Sequence, residues 1–405
     1  MYFIGQIISF SGTWMQTIAM GLLVLKLTGS GTTLGIVMGL QFLPILLIGP
    51  FAGVLIDRFA KRKILFVTQA GAGILALLLG LLVITNLIEI WMIYLFALLL
   101  GIITAFDNPT RHTFLMEMVG KGLLKNAVAL NATMVNLARM LGPALAGILV
   151  LTFGLGICFI INSMTYIAVL VTLIKIDTTK LISLPQAQRT NHEIMQGFQY
   201  IRSTPVLRTT LLMAFIIGTL TFNFSVLLPL FAKFTFHNIN AYALLTVAMS
   251  LGAVFGGLFS ASRGKASMGR LTISALLFGI SLLAVSLMPT LATATMLMIV
   301  VGVFSISFTS MANTILQLEA APHMRGRVMS LWTMAFLGST PIGAPIIGWV
   351  GEHMGARWGL AIGGLAAIAA AGVGAALLTR VSPLRQRLRR GEARVSKAIL
   401  RLKHP

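Results

Sequence analysis

Apolar residues gather in twelve stretches, near positions 3–26, 32–56, 64–85, 90–107, 126–151, 155–175, 208–232, 240–262, 270–288, 291–315, 328–350 and 356–379. Each stretch is continuous rather than alternating. At about 1.5 Å per residue, each reaches across roughly 30 Å of hydrocarbon as a helix. A membrane barrel would show short alternating segments, and none occur. The pattern predicts an all-α membrane protein with twelve transmembrane helices. Composition agrees: 57% of the 405 residues are hydrophobic and 10% are charged, with a mean hydropathy of +0.95. A water-soluble core of this length has no room for so much apolar surface.

The polar connections between spans carry charge unevenly. The even-numbered ones hold Arg58, Lys61, Arg62 and Lys63, then Arg111, Lys121 and Lys125, then Lys175, Lys180, Arg189, Arg202 and Arg208. They continue with Arg263, Lys265 and Arg270, and with Arg325 and Arg327, and the tail after 379 adds nine more. The odd-numbered connections hold only Lys26, Lys233 and Arg357. Cytoplasmic loops retain Lys and Arg, so the pattern predicts a multi-pass protein of a bacterial-type inner membrane with both termini cytoplasmic. The net charge of +21 is then an inner-leaflet signature. Nucleic acid is not an expected partner, because no compact basic domain stands outside the spans. Cys158 is alone within an apolar span, which leaves no disulfide framework. The first span begins next to Met1 without a small-residue cleavage site and reads as a retained helix, its cytoplasmic lead absent or trimmed.

The spans fall into two sets of six that repeat. Gly12-Thr13 through Leu22-Leu23 matches Gly218-Thr219 through Leu228-Pro229 at an offset of 206, and Gly53 through Asp57 matches Gly257 through Ala261 at 204. Gly142-Pro143 through Gly147 matches Gly343 through Gly348, with Pro143 and Pro345 202 apart. The order and near-constant spacing predict a duplicated bundle. The expected domains are 1–175, a cytoplasmic linker at 176–207, 208–379, and a basic tail at 380–405. Within the linker, Ile194, Phe198 and Ile201 share one helical face, so this segment is expected to lie along the membrane surface. In the tail, Leu384, Leu388, Val395, Ile399 and Leu402 approximate a stripe among arginines. It reads either as a basic amphipathic helix on anionic inner-leaflet lipid or as a solvated tail.

Named motifs add a family likeness. Gly53-Val54-Leu55-Ile56-Asp57-Arg58-Phe59-Ala60-Lys61-Arg62-Lys63, between the second and third spans, resembles the loop signature of the major facilitator superfamily, with Ala60 in place of the second glycine. Further residues are Gly12-Thr13-Trp14-Met15-Gln16, Asp107-Asn108-Pro109-Thr110-Arg111, Asn126 through Asn131, Asn136, Arg139, Gly142-Pro143, Gly147, Cys158-Phe159, Asn162, Pro322, Arg325 through Ser330 and Pro341-Ile342-Gly343. Together they resemble the enterobactin-exporter and macrolide-efflux-like branch of that superfamily. The resemblance implies two pseudo-symmetric six-helix bundles and secondary active export of a small molecule, usually in exchange for protons. It also implies that Gly53, Asp57, Arg58 and Arg62 belong to a latch that joins the halves on the cytoplasmic side.

Residue chemistry supplies the other candidates. Arg139 is the one formal charge well inside an apolar span, where a cation must face water, a partner or a substrate. All nine acids fall at span ends, in loops or in the tail, so no membrane carboxylate is expected to neutralise it; Asp107 or Glu319 reaching in, or an anionic substrate group, remains open. Thr13 stands where some relatives carry Asp, leaving proton coupling implied by the resemblance alone. On the first helix Ser9, Thr13, Gln16 and Met20 share a face. Gln6, Asn136, Asn223 and Asn313 are further cavity candidates, although interhelical hydrogen bonding accounts for such residues without a ligand. Gly142, Pro143 and Gly147 resemble an exporter helix-five motif, with Ala146 where a second glycine is expected.

No phosphate loop, His-Glu-x-x-His site or nucleophile elbow occurs, so ATP use, metal chemistry and an enzyme activity are not expected, and no cofactor is implied. The reading is a secondary transporter that exports a small amphipathic molecule, drug-like or siderophore-like, by alternating access with proton antiport. An importer on the same architecture is the alternative.

Overall fold

Lipid offers the backbone no hydrogen-bond partners, so each apolar stretch must close its own amide ladder as a helix. The computed structural model describes residues 2–177, 181, 193–262, 266–321 and 324–402. The side chains of 50–55, 57, 58, 121, 122, 124, 125, 128, 129, 132, 136, 193, 194, 259–262 and 380–402 lie outside the described set. Twelve helices among the described residues are long and apolar enough to cross a membrane. They are α1 Tyr2–Thr28, α2 Gly31–Arg58, α3 Lys61–Ile84, α4 Ile90–Gly120, α5 Thr133–Phe153 and α6 Leu155–Lys175, then α7 Pro205–Thr235, α8 Ala241–Ser262, α9 Met268–Leu287, α10 Leu291–Glu319, α11 Arg325–His353 and α12 Ala356–Thr379. The α12 helix continues unbroken to Leu402. Helical backbone also joins α4 to α5, interrupted only at Gly120, whose φ of 67° a glycine adopts without strain.

The fourth helix departs from expectation. The polar run after position 107 and Pro109 predict a helix end there, yet α4 continues to Gly120. Two hydroxyls bond back along this stretch: Thr110 donates to the Phe106 carbonyl at 2.6 Å and Thr113 to the Pro109 carbonyl at 3.0 Å. Asp107 and Arg111 are therefore carried into the bundle rather than onto a loop.

The two sets of six pack by the same device. A Cβ on Gly142 of α5 would meet the Ser11 carbonyl of α1 at 2.7 Å, and one on Gly343 of α11 would collide with the Thr219 carbonyl of α7. Gly101 of α4 abuts the Gln41 carbonyl of α2, just as Gly302 of α10 abuts the Met249 carbonyl of α8. Gly80 and Gly156 join α3 to α6, and Gly279 and Gly364 join α9 to α12. Small residues let helix backbones approach closely where lipid supplies no hydrophobic drive. The sequence repeat is thus a repeat of helix contacts.

Between positions 193 and 203 the connecting segment is a helix, Glu193–Ser203. It docks through Gln196, which accepts from Arg327 at 2.8 Å, and through the Tyr200 hydroxyl, which accepts from the Ala321 amide at 3.1 Å. Ile201 is buried while Met195 and Phe198 stay exposed, the distribution of a helix lying against a bundle end.

Among the described residues, the closest glycine contacts between the halves lie toward the end with few cations. A Cβ on Gly31 of α2 would stand 2.7 Å from the Gly348 carbonyl of α11, Gly35 abuts Ala344, and Gly39 faces the Pro341 carbonyl at 3.4 Å. At that same end the Glu352 carboxylate accepts from Ser30 Oγ (2.8 Å), Thr32 Oγ1 (2.5 Å) and the Thr32 amide (2.8 Å) at the N-terminus of α2. Lys233 Nζ of α7 donates to the Leu25 carbonyl of α1 at 3.0 Å. Ser30 also caps α2 by accepting from the Thr33 amide at 3.1 Å. Across the basic end, the described polar contacts of Lys61 and Arg62 stay within the first half.

Candidate functional site

Helix α1 lies at the centre of the site. Gly142 brings α5 hard against Ser11, Trp14 and Met15, and one turn earlier on α5 stands Arg139. Its guanidinium lies over the Trp14 ring, 4.8 Å from the centroid. Its Nε is buried without a hydrogen-bond partner, and Arg139 forms no ion pair among the described residues. The Arg139 carbonyl accepts from Ser250 Oγ of α8 at 3.1 Å, which places this residue on the boundary between the halves. It is six residues, about 9 Å along the axis, from the basic-end start of α5 and 14 residues from the other end, so it lies inside the span but nearer the basic end. A cation held on an aromatic face with an N–H unsatisfied can receive an acidic group. Gly147, further along α5, packs on Ala243 of α8, and Pro143 sits inside the α5 helix.

One helical turn before Trp14, Phe10 carries a second guanidinium, Arg111 of α4, at 4.7 Å. Unlike Arg139, Arg111 has a carboxylate partner. Asp107 accepts from Arg111 Nε at 3.1 Å and from Arg111 Nη2, from Thr68 Oγ1 at 2.7 Å and from Gln69 Nε2 at 2.8 Å. Asp107 is only 6% exposed, so the absence of a membrane carboxylate expected from the sequence is corrected: the chain has one. Nor does Asp107 neutralise Arg139, since Arg111 holds it. Glu319 ends α10 and does not reach Arg139 either.

The polar candidates of α1 turn toward their own half. Gln6, Ser9 and Gln16 are buried, and Gln16 accepts from Asn162 Nδ2 of α6 at 2.5 Å. Thr13 donates to the Ser9 carbonyl at 2.9 Å and lies 3.4 Å from the Tyr166 hydroxyl of α6. In the second half, α7 is not uniform: π-turns occupy Ile217–Thr221 and Phe231–Thr235, and Phe222 and Asn223 leave helical geometry between them. Asn223 is buried, donates to the Thr219 carbonyl at 2.6 Å and has an unpartnered Oδ1. Phe222 packs on Phe336 (centroids 4.8 Å apart), which stacks on Trp332 at 5.0 Å, forming an aromatic wall. Asn313 of α10 pairs with Gln317 one turn on.

At the basic end, Arg62 donates from Nε to the Leu173 carbonyl at 2.6 Å and from Nη2 to the Ile174 carbonyl at 2.8 Å. It caps the orphan carbonyls at the C-terminus of α6. Lys61 faces Glu117 of α4 at 4.0 Å. Gly53, Asp57, Arg58 and Asn136 fall at positions whose side chains lie outside the described residues. No cluster of metal ligands exists among the described residues. A cavity of about 560 Å³ opens at the opposite end, between α1, α5 and α7, lined by Lys26, Lys233 and His237 and remote from Arg139. Sequence reasoning raised Asp107 only as an acid reaching toward Arg139, without its Arg111 partner, and missed Arg111 and Glu352 as interior or bridging groups. For Asp107 and Arg111, the usable signal was an i, i+4 Asp–Arg pair flanked by threonines.

Comparison with known proteins gives a consistent picture. The family model for transmembrane secretion effectors matches residues 1–400. A staphyloferrin A transporter of Staphylococcus aureus is 25% identical, over 85% of this chain and 87% of its own. An enterobactin exporter of Salmonella choleraesuis is 26% identical over 82% and 77%. A macrolide efflux protein of Streptococcus pyogenes is 23% identical over 89% and 91%. Among solved structures, a bacterial homologue of the human lysosomal transporter Spinster superposes with a TM-score of 0.72 at 15% identity, covering 94% of this chain and 95% of that one. A peptide transporter gives 0.72 at 13% identity, covering 95% and 94%.

Proposed function

For a chain that belongs to the transmembrane secretion effector family of the major facilitator superfamily, we propose export of a small amphipathic molecule bearing an acidic group, by alternating access and in exchange for protons. Membership makes it a multi-pass inner-membrane transporter of a small molecule, not an enzyme. Direction, substrate and coupling are our reading.

The observation that carries it is Arg139: a guanidinium inside the α5 span, at the boundary of the halves, set on Trp14 and without a counter-ion among the described residues. Desolvating a cation is costly, so a site that keeps one uncompensated is poised for an anion. The aromatic wall of Phe222, Phe336 and Trp332 suits the apolar body of such a molecule. With the end of few cations sealed by Gly31, Gly35 and Glu352 between α2 and α11, this is the state in which an exporter would load substrate from a basic, cytoplasmic end. Asp57 then acts as a basic-end latch in the opposite state, alternating with the Glu352 contact.

The test is counterflow in proteoliposomes with three probes: an acidic catecholate or citrate-type siderophore, a macrolide and a cationic dye. The acidic probe is expected to exchange, and Arg139→Gln to weaken its half-saturation for exchange roughly 10- to 100-fold at matched protein amount. Exchange of the dye alone, or an unimpaired Arg139→Gln, sinks the reading.

A further inference from the structure

The buried polar cluster around Asp107 does not balance. The Asp107 carboxylate already takes four donors, two of them from Arg111. Around it, four buried polar atoms have no partner: Arg111 Nη1, Gln69 Oε1, Gln6 Oε1 and the Tyr2 hydroxyl. Three of the four can accept, and only two, the guanidinium and the phenol, can donate. Buried acceptors without donors are rare in folded proteins and mark a function or a second arrangement.

One added proton provides that arrangement. A protonated Asp107 can donate to Gln69 Oε1 once the amide turns over, because Gln69 now presents its nitrogen to the carboxylate. Arg111, released from a neutral acid, can then donate to Gln6 and to Tyr2 on α1. Tyr2 lies in the field of the Arg111 and Asp107 charges and against the Gln6 side chain. Arg111 also stacks on Phe10, one turn before the Trp14 that carries Arg139. Its movement is therefore registered by the helix that forms the substrate site.

We propose that Asp107 is the proton-binding carboxylate of the transport cycle and that Arg111 is the switch that reports its occupancy to α1. The proposal rests on the exporter reading and names the group on which its protons ride. The described titratable neighbours are Tyr2 from α1, Arg111 and His112 from α4 itself and Tyr166 from α6. The charges of α3 all lie at its start, below Thr68: Lys61, paired with Glu117, Arg62, bound to the Leu173 and Ile174 carbonyls, and Lys63. Two arrangements of one buried pair, biased by a proton, form a two-state element.

Infrared difference spectroscopy on the purified, reconstituted full chain tests the proton site without any substrate. On acidification the wild type should develop the C=O stretch of a buried carboxylic acid. That band should be missing in Asp107→Asn and unchanged in Glu89→Gln, an exposed acid at the other end that binds Trp91. Because Asp107→Asn leaves Arg111 alone in the interior, the doubly neutral Asp107→Asn/Arg111→Gln protein is run beside it and must also lack the band. A wild type without the band, or a band that survives in both variants, overturns the proposal. Counterflow separates the two readings: flux without the band leaves export standing and removes this site, whereas the band without flux of any probe does the reverse.

Discussion

Helices α1 and α7 hold equivalent places in the two halves but are built from different chemistry. In the 206-residue register Thr13 corresponds to Thr219 and Gln16 to Phe222. The first helix is unbroken from Tyr2 to Thr28 and buries Gln6, Ser9 and Gln16 against its own half, beside the Asp107–Arg111 pair and Arg139. The seventh changes from α to π geometry twice, breaks at Phe222 and Asn223, and is walled by phenylalanines rather than charges. Duplication has left the packing device intact while dividing the work. The first half holds charge on a rigid rod, and the second offers an apolar surface around a helix that can bend. Broken helices of this kind sit at transporter binding sites because freed backbone is tolerated only where protein or a cavity satisfies it.

The largest effect is expected where the halves are alike, in their glycine contacts. Gly343→Val sets a branched side chain against the Thr219 carbonyl and Asn223 Nδ2, both in the irregular part of α7. The backbone has nowhere to go, so the variant should lose at least about 3 kcal/mol, or fail to accumulate as monodisperse protein. Size-exclusion profile and thermal melt in detergent read this directly. A well-folded Gly343→Val would mean that the repeat of contacts is incidental.

Next in size is the charge that only the first half carries. Arg139→Gln removes a charge-assisted contact worth about 1.5–3 kcal/mol, so affinity for an acidic substrate should fall roughly 10- to 100-fold. Melting temperature should hold or rise, since an uncompensated buried cation is relieved. A matching loss of stability would instead make Arg139 a structural residue.

A finer contrast compares buried amides on the two equivalent helices, one register position apart. Gln16→Ala strands Asn162 Nδ2, its partner at 2.5 Å, and should cost about 1–3 kcal/mol. Asn223→Ala loses one bond to the Thr219 carbonyl but also removes the unpartnered Oδ1, so its net cost should stay under about 1 kcal/mol. Denaturation midpoints of the two variants decide the order. The reverse order would place the rigid polar rod in the second half.

These contrasts show where sequence reading stopped. Apolar runs, the bias of Lys and Arg and the repeated glycines are local or periodic signals, and the twelve helices and their packing follow from them. Asp107 was hidden because Asp-Asn-Pro-Thr-Arg looks like a helix end. The helix runs on through Pro109, with Thr110 and Thr113 bonded back to the Phe106 and Pro109 carbonyls. Arg62 capping α6 and Glu352 capping α2 are contacts between residues more than a hundred positions apart, and no periodicity encodes them. Arg139 could be found because a lone cation in an apolar run is conspicuous, but its seat on Trp14 depends on how closely Gly142 lets α5 approach.

The smallest expected effect concerns the seam where the halves touch. Glu352 receives two hydroxyls and an amide at the N-terminus of α2, a position where the helix dipole favours negative charge. The contact is exposed, so solvent screens it, and Glu352→Gln should weaken the closed end by a few tenths to about 1 kcal/mol. That is enough to shift the open fraction up to roughly fivefold. Met38 is buried one turn beyond Gly35 on the same face of α2, so a cysteine there is reached only when the seam opens. In a Cys158→Ser background carrying Met38→Cys, maleimide labelling from the end with few cations should quicken by that factor when Glu352→Gln is added. Buried Gly35 faces Ala344 in the same seam and does not depend on charge, so raising salt should quicken labelling in the parent and not in the Glu352→Gln protein. Equal salt sensitivity in both would assign the seal to glycine packing alone and leave Glu352 a helix cap.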